Sequence, residues 1–372
     1  MTSVYALTTD QAAVARFVAH GLLTPFPDPI SAAGALCGVQ AQMLPAAGLA
    51  LWNRTLTMTA TDLDRLLYHE RSLVRLWGQR HTLHLYPATD WPIIYAAHAD
   101  RTTYWEAEAL RDGWDPVAYE TFLAQAAQYL FEHETMSRRD LKTLLPTIDD
   151  RHLSAWGGIF AILARRGLAC HVAPHGGEAR MAHRLRWLPT LPWAPPAADE
   201  ANAIMLRRYL ISCGPATLAD ISYWRGRAQT EVKRWLALLG DDVVAVTVAG
   251  QVAWWLQSAL EQARNLPARA ELPPRLLGRF DPLLLCTRAK SWLINESVYR
   301  RVWRPAGHIE ATILVRGSIV GTWRYDWQRA SLIVTMRPFT LLEADLRAQL
   351  EVQAAKVAAH FNAPLGDCRW EK

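Results

Sequence analysis

Ser137-Arg-Arg-Asp-Leu-Lys-Thr-Leu-Leu145, followed by Leu168-Ala-Cys-His-Val172, His175-Gly-Gly177 and Met181, is the stretch whose reading decides the fold. Ser137 and Asp140 form a Ser-x-x-Asp capping box, in which a hydroxyl and a carboxylate take up amide donors that a starting helix leaves open. Leu141, Leu144 and Leu145 then give that helix an apolar side. Upstream, Tyr119–Glu134 has the apolar spacing of a first helix. Downstream, Leu153–Arg166 reads as a third helix, stopped by Gly167. Leu168–Val172 is strand-like, turns at His175-Gly176-Gly177 and returns over Met181–Leu188. Three helices closed by a hairpin is the winged-helix order, a variant of helix-turn-helix.

The same order recurs twice. From Ala201 a helix runs to Gly214, and Thr217 with Asp220 opens a second helix through another capping box. A third spans Thr230–Leu239 and stops at Gly240. Val243–Val248 and Val252–Leu256 flank the turn Ala249-Gly250. The N-terminal copy is less regular. Helices are expected at Asp10–Leu23, Ser31–Gln42 and Thr61–Glu70, the last boxed by Thr61 and Asp64, with a hairpin over Leu73–Tyr86 turning at Gly78-Gln79. Pro-rich linkers lie at Leu188–Pro196 and Leu266–Pro274. Beyond Phe280, strands are expected at Ser297–Trp303, Glu310–Arg316, Ile319–Tyr325 and Ser331–Thr335, closed by a helix over Leu342–Phe361. The expected class is therefore α+β, mainly α: three tandem winged-helix units (1–117, 118–198, 199–270) followed by a small β-rich C-terminal domain with a terminal helix (271–372).

Bulk properties agree with several compact units. The chain has 372 residues, of which 51% are hydrophobic and 20% charged, a folding composition away from the disordered class. The formal charge of +5 favours an anionic partner. Nearly all the cations are arginine, which suits bidentate phosphate and base-edge contacts; a coding bias towards arginine is an equal explanation. Cys37, Cys170, Cys213, Cys286 and Cys368 lie far apart with no Cys-x-x-Cys pair, so neither a disulfide frame nor a zinc site is expected. The N-terminal residues lack the pattern of a signal peptide and no apolar run is long enough to span a membrane, so a cytoplasmic protein is expected. There is no Gly-x-Gly-x-x-Gly after a strand, no Walker loop and no Gly-x-Ser-x-Gly elbow. His171, His175 and His183 have no metal-ligand spacing and read as a solvated hairpin.

What remains is Gly38-Val-Gln-Ala-Gln42, ahead of Met43-Leu-Pro45. Gln40 and Gln42 stand in apolar surroundings, where an amide is costly unless hydrogen-bonded. Either they cap backbone groups between helices or they serve a site.

This stretch, with Leu51-Trp-Asn-Arg54 nearby, resembles the N-terminal motif of the AlkZ-type winged-helix DNA glycosylases. Trp77-Gly-Gln-Arg-His-Thr-Leu-His-Leu85 is similar to the strand segment that follows in that family, and Thr217-Leu-Ala-Asp-Ile-Ser-Tyr-Trp224 to its third capped helix. Phe280-Asp-Pro-Leu-Leu284 and Gly317-Ser-Ile-Val-Gly-Thr-Trp323 resemble its C-terminal β segment. The resemblance covers nearly the whole chain in the same order. It implies a concave face for double-stranded DNA, removal of N7-alkylated purines and, in some members, unhooking of interstrand crosslinks, without full base flipping. It also implies that Gln40 and Gln42 are the catalytic pair; relatives with Gln-x-Asp carry a carboxylate at the second place.

The chemistry fits a site without a general base. A purine alkylated on a ring nitrogen is cationic and already a good leaving group, so an amide that orients water suffices. Candidate DNA contacts are Arg54, Arg80, His81, Arg138 and Arg139, at helix starts and strand ends, and Arg304 and His308 in a turn aimed at the lesion or simply exposed. No cofactor and no metal are expected; the partner is double-stranded DNA carrying alkylated purines, bound by a monomer. The competing reading is a winged-helix regulator, or a resistance protein that sequesters without turnover.

Overall fold

The computed structural model describes residues 5–55, 57–99, 103–153 and 158–371. Helices and strands are mixed along the chain, which divides into two compact units: Asp64–Ile204, and Met1–Leu63 together with Met205–Lys372.

In the unit Asp64–Ile204, Asp115 caps the helix Pro116–Glu132, its carboxylate accepting from the Ala118 amide at 2.8 Å. Ser137 and Asp140 make the expected box at the start of the helix Arg138–Leu144. The expected helix Leu153–Arg166 is shorter: a 3-10 turn covers Asp150–Leu153 and the helix is Gly158–Arg165, with residues 154–157 outside the described ones. The hairpin pairs Ala169–His175 with Glu178–His183, and Met136–Ser137 adds to its second strand (Met136↔Met181, Ser137↔Arg180). Its return strand ends at His183, not Leu188. His183 caps a short helix, Arg184–Trp187, and the Arg71 guanidinium lies 3.9 Å from the Trp187 ring, so this segment packs as a helix. Arg75↔His171 joins this hairpin to Leu73–Trp77, which pairs with Leu83–Pro87 as expected. Leu123, Leu130, Ile162, Leu163 and Met181 are buried together beneath these strands, each contributing roughly 1.5–3 kcal/mol by leaving water. The first linker is packed, with Trp193 edge-on to Trp91.

The third repeat has the expected order: helices Ala198–Cys213, Leu218–Arg225 and Gln229–Leu239, then strands Val243–Val248 and Gln251–Leu256. The box of Thr217 and Asp220 is present. The bridge Ala216↔Trp254 repeats the pairing of Met136 with Met181, and Tyr5–Leu7 joins the sheet in parallel.

The N-terminal copy departs most from expectation. Its helices are Thr9–Ala19 and Pro29–Ala35, then Leu44–Thr55, which sequence reading missed, and Ala60–Asp64 continuing as a π turn over Arg65–His69. The last is boxed by Thr59 and Asp62 rather than Thr61 and Asp64: the Thr59 amide donates to Asp62 at 2.9 Å.

The C-terminal sheet runs Arg275–Leu277, Thr312–Val315, Ser318–Gln328, Ser331–Pro338, Leu365–Trp370, and only the last pair is parallel. The helix Ala344–His360 is the crossover that a parallel pair requires. It packs Leu350, Ala354 and Val357 on the sheet with Leu49 and Trp52 of Leu44–Thr55. The expected strand Ser297–Trp303 is instead a 3-10 turn, Glu296–Val298, and a short helix, Tyr299–Val302. Asn295 starts it by accepting from the Ser297 amide at 3.0 Å, and its apolar residues sit three and four apart, a helical spacing.

Candidate active site

Gln40 and Gln42 are not on a helix. The helix Pro29–Ala35 is left through Cys37 and Gly38, both at positive φ (54° and 95°), and the chain then extends as Val39–Gln40 before Leu44–Thr55 begins. This corrects the helix expected to end at Gln42. Cys37 takes the left-handed position just past the helix end, and the Gly38 amide closes the turn on the Ala33 carbonyl at 2.9 Å; Pro45 lies in the first turn of the next helix, where proline is tolerated. The strand covers only Val39–Gln40 and Gln42 lies on the bend beyond it, so the divergence of about 200° between helical neighbours two apart does not apply to this pair. Gln40 is buried and Gln42 half-buried.

Immediately after Gln42 a recess of about 340 Å³ opens, lined by Met43, Pro45, Arg279, Trp323, Tyr325 and Asp326 among others. Trp323 is oriented by its indole N–H, which donates to the Leu277 carbonyl at 2.8 Å. Gly278 lets this strand end approach the helix: a Cβ there would lie 3.3 Å from the Ala46 carbonyl oxygen.

Arg279 links the recess to the turn at 303–309. It donates to His308 Nε2 at 2.8 Å and to Glu310 at 2.9 Å, and Glu310 also pairs with Arg304 at 3.5 Å. An Nε2 that accepts from a guanidinium leaves the ring proton on Nδ1. The turn is a tight loop closed by Trp303↔Ile309, with the Arg304 amide donating to the His308 carbonyl at 2.8 Å and Ala306 at φ 58°. Arg304 is exposed and His308 half-buried.

Arg54 is not a DNA contact. Its side chain is fully buried, donating to both carboxylate oxygens of the equally buried Asp281 at 2.8 and 2.9 Å and to the Ala50 carbonyl at 2.7 Å. A buried guanidinium survives only with such bidentate pairing. The network continues through His20, whose Nδ1 lies 3.3 Å from the Arg54 guanidinium and whose Nε2 is 3.6 Å from Cys213 Sγ. Polar atoms of His20, Cys213 and Cys286 all lie within 4.8 Å of one another, a grouping that a metal ion could in principle bridge. The Arg54 donor makes Nδ1 the acceptor, however, so Nε2 carries the proton and faces the thiol, the reverse of a ligand nitrogen. Burial lowers the His20 pKa, which keeps the ring neutral beside Arg54.

In the unit Asp64–Ile204, the turn between Leu73–Trp77 and Leu83–Pro87 holds three polar residues in a strained form. Arg80 and His81 both have positive φ (53° and 59°), unusual for side-chain-bearing residues and a cost of order 1–3 kcal/mol each. Gln79 is buried and accepts from the Tyr86 hydroxyl; Gly78 is obligatory, since a Cβ would fall 1.9 Å from that hydroxyl oxygen. His81 is exposed, with Nδ1 2.7 Å from Arg165, and Arg80 is half-buried. Sequence reading passed over Gln79 as a turn residue; the signal was an uncharged amide between a glycine and a cation at a hairpin tip. Arg138 and Arg139 stand in the first turn of Arg138–Leu144, Arg139 exposed and Arg138 half-buried, 3.4 Å from the Leu153 carbonyl. Arg166 is tied to Glu106 and Glu120 at 2.7 and 2.6 Å. Of the hairpin histidines only His175 is exposed. The His171 ring lies 4.7 Å from Trp77 and its Nε2 is buried; His183 is buried at the helix cap.

The sequence profile of the family described as DNA glycosylase AlkZ-like matches residues 33–360, a span that includes the glutamine motif, the strained hairpin and four of the five strands of the C-terminal sheet. The chain belongs to this family. It is thereby a DNA glycosylase, a hydrolase of N-glycosidic bonds. An interstrand DNA cross-link repair glycosylase of Streptomyces sahachiroi is 30% identical over 359 residues, covering 89% of this glycosylase and 90% of that protein. The solved DNA glycosylase AlkZ of Streptomyces sahachiroi superposes with a TM-score of 0.84 at 24% identity, over 98% of this chain and 100% of the other, a likeness of fold. Among the described residues no helix is long and apolar enough to cross a membrane.

Proposed function

We propose that the glycosylase hydrolyses the N-glycosidic bond of cationic N7-alkylated purines in double-stranded DNA, with Gln40 and Gln42 positioning the attacking water, and that it acts on interstrand crosslinks as its relative does. The observation that carries this reading is the glutamine pair immediately ahead in sequence of Met43 and Pro45, which line a recess, in a chain of the AlkZ-like family. An amide cannot take a proton at neutral pH, so catalysis rests on orienting water and on facing carbonyl dipoles towards the developing sugar cation. Such a site needs a leaving group that is activated beforehand, which ring alkylation supplies and an undamaged base does not. The recess walled by Met43, Trp323 and Tyr325 gives room for a bulky modified base.

The element order of the three repeats supports three winged helices over 1–117, 118–198 and 199–270, ahead of the β-rich segment 271–372. Arg138 and Arg139 support DNA binding by their place: cations in a first helical turn oppose the helix dipole, a cost that an approaching phosphate reverses. Arg80, His81, Arg304 and His308 complete the proposed contacts, and the protein works as a monomer without a cofactor. Incubation with a duplex carrying one N7-methylguanine tests the reading. Free 7-methylguanine and an abasic strand are expected; tight binding with no base released would favour a non-catalytic DNA-binding protein instead.

A further inference from the structure

A cleft of about 760 Å³ lies in the unit formed by Met1–Leu63 and Met205–Lys372, and none of the roles above uses it. Arg288, Lys290, Ser291, Glu296, Tyr299 and Arg300 line it. Its floor is built before any ligand arrives. The Arg288 amide donates at 2.7 Å to Asp220, the same carboxylate that boxes Thr217, so helix cap and loop are fixed together. Within the loop, the Thr287 hydroxyl donates to the Ala289 carbonyl at 2.8 Å, and the Trp292 indole donates to Thr287 Oγ1 at 2.8 Å. Lys290 is only 6% exposed. Its ammonium donates to the Thr287 carbonyl and sits 5.2 Å from the Tyr223 ring and 5.6 Å from the Trp303 ring.

At the rim, Arg288 and Arg300 are exposed, and among the described residues neither makes an ion pair. The cleft is thus lined by Arg288, Arg300 and the buried Lys290 together with one carboxylate, Glu296. Tyr299 and Trp303 stack at 4.8 Å, and the helix Tyr299–Val302 runs from the cleft directly into the 303–309 turn. The cleft and that turn are thus consecutive parts of one segment.

We propose that this cleft binds the sugar–phosphate backbone of the DNA, with Arg288 and Arg300 on phosphate oxygens and Lys290 supplying fixed positive potential from below. Phosphate contacts of this kind set position and affinity without reading sequence. The same chemistry would serve a free phosphate or nucleotide, so the test separates the two sources. The proposal rests on the reading of the protein as a DNA binder and not on its glutamine mechanism.

Binding of an undamaged labelled duplex across a range of salt concentrations, for the intact protein and for the Arg288→Gln/Arg300→Gln variant, tests it independently of base release. The variant should bind about tenfold more weakly at low salt. Its slope of log affinity against log salt should be shallower by about 2, since each phosphate contact contributes roughly 0.9. Glu296→Gln should tighten binding. Inorganic pyrophosphate should leave the melting temperature of the intact protein unchanged. An unchanged slope in the double variant overturns the proposal. Stabilisation by pyrophosphate that the double variant loses, with duplex binding intact, would overturn it in favour of a small-anion site. Both arginines are exposed, so folding of the variant is checked by an unaltered melting temperature. Failure of the Gln40 and Gln42 reading would leave these binding results untouched.

Discussion

Arg54 and the glutamine pair show how one residue type acquires opposite meanings from its surroundings. A guanidinium at a helix end suggests a phosphate contact, yet Arg54 is buried against Asp281 with both oxygens engaged. Removing one partner of such a pair strands the other charge in a dry interior, at a cost of about 3–5 kcal/mol. Arg54→Ala should therefore lower the urea midpoint by the equivalent of that cost. Stability within about 1 kcal/mol of the parent would show that Asp281 reaches water. The glutamines were legible as residue types, because amides in apolar surroundings ask for partners or a purpose. Their backbone was not. Pro45 suggests the end of one helix but lies in the first turn of the next, and the actual ending is a left-handed Cys37, a residue type that gives no stop signal. Asp281, 227 residues from Arg54 along the chain, had no local signal at all.

At the scale of elements, capping chemistry was the most legible feature. The boxes Ser137–Asp140 and Thr217–Asp220 are both present because the reciprocal bonds involve residues three apart and depend on little else. The C-terminal segment was less legible. Leu365–Trp370 was missed because its burial alternates weakly and its partner is reached only through a crossover helix. Tyr299–Val302 was mistaken for a strand because valine, tyrosine and tryptophan favour strands whatever their spacing. The helix start at Arg138 and Arg139 yields a direct prediction. Replacing both with glutamine should weaken binding to damaged and undamaged duplex alike and make the salt dependence shallower by up to about 2. Unchanged affinity for both duplexes would mean that this helix end does not meet DNA.

Over the whole molecule, several histidines are held neutral by burial, and acid should find them. Burial, with Arg75 nearby, pushes the His171 pKa down to about 3, against about 6.5 in an unfolded chain. The unfolded chain therefore binds the proton more readily. The contribution of His171 to stability is complete above about pH 6.5 and is lost as pH falls towards 3. Burial lowers His20 and His360 in the same direction. Unfolding free energy measured by urea at intervals from pH 7 to pH 5 should fall, and His171→Phe should flatten the curve by up to about 1.4 kcal/mol per pH unit. An equally steep curve in the variant would mean that His171 titrates normally in the fold.

The central claim is that two amides, with no general base, drive hydrolysis of a cationic lesion. Single-turnover release of 7-methylguanine from an N7-methylguanine duplex, at protein concentrations that saturate binding, tests it most directly when the parent is compared with Gln40→Ala and Gln42→Ala. Each substitution should slow release at least about tenfold, equivalent to roughly 1.4 kcal/mol of barrier, while duplex affinity stays within about twofold. Release by the doubly substituted protein at the parental rate would place the chemistry on other residues and contradict the account.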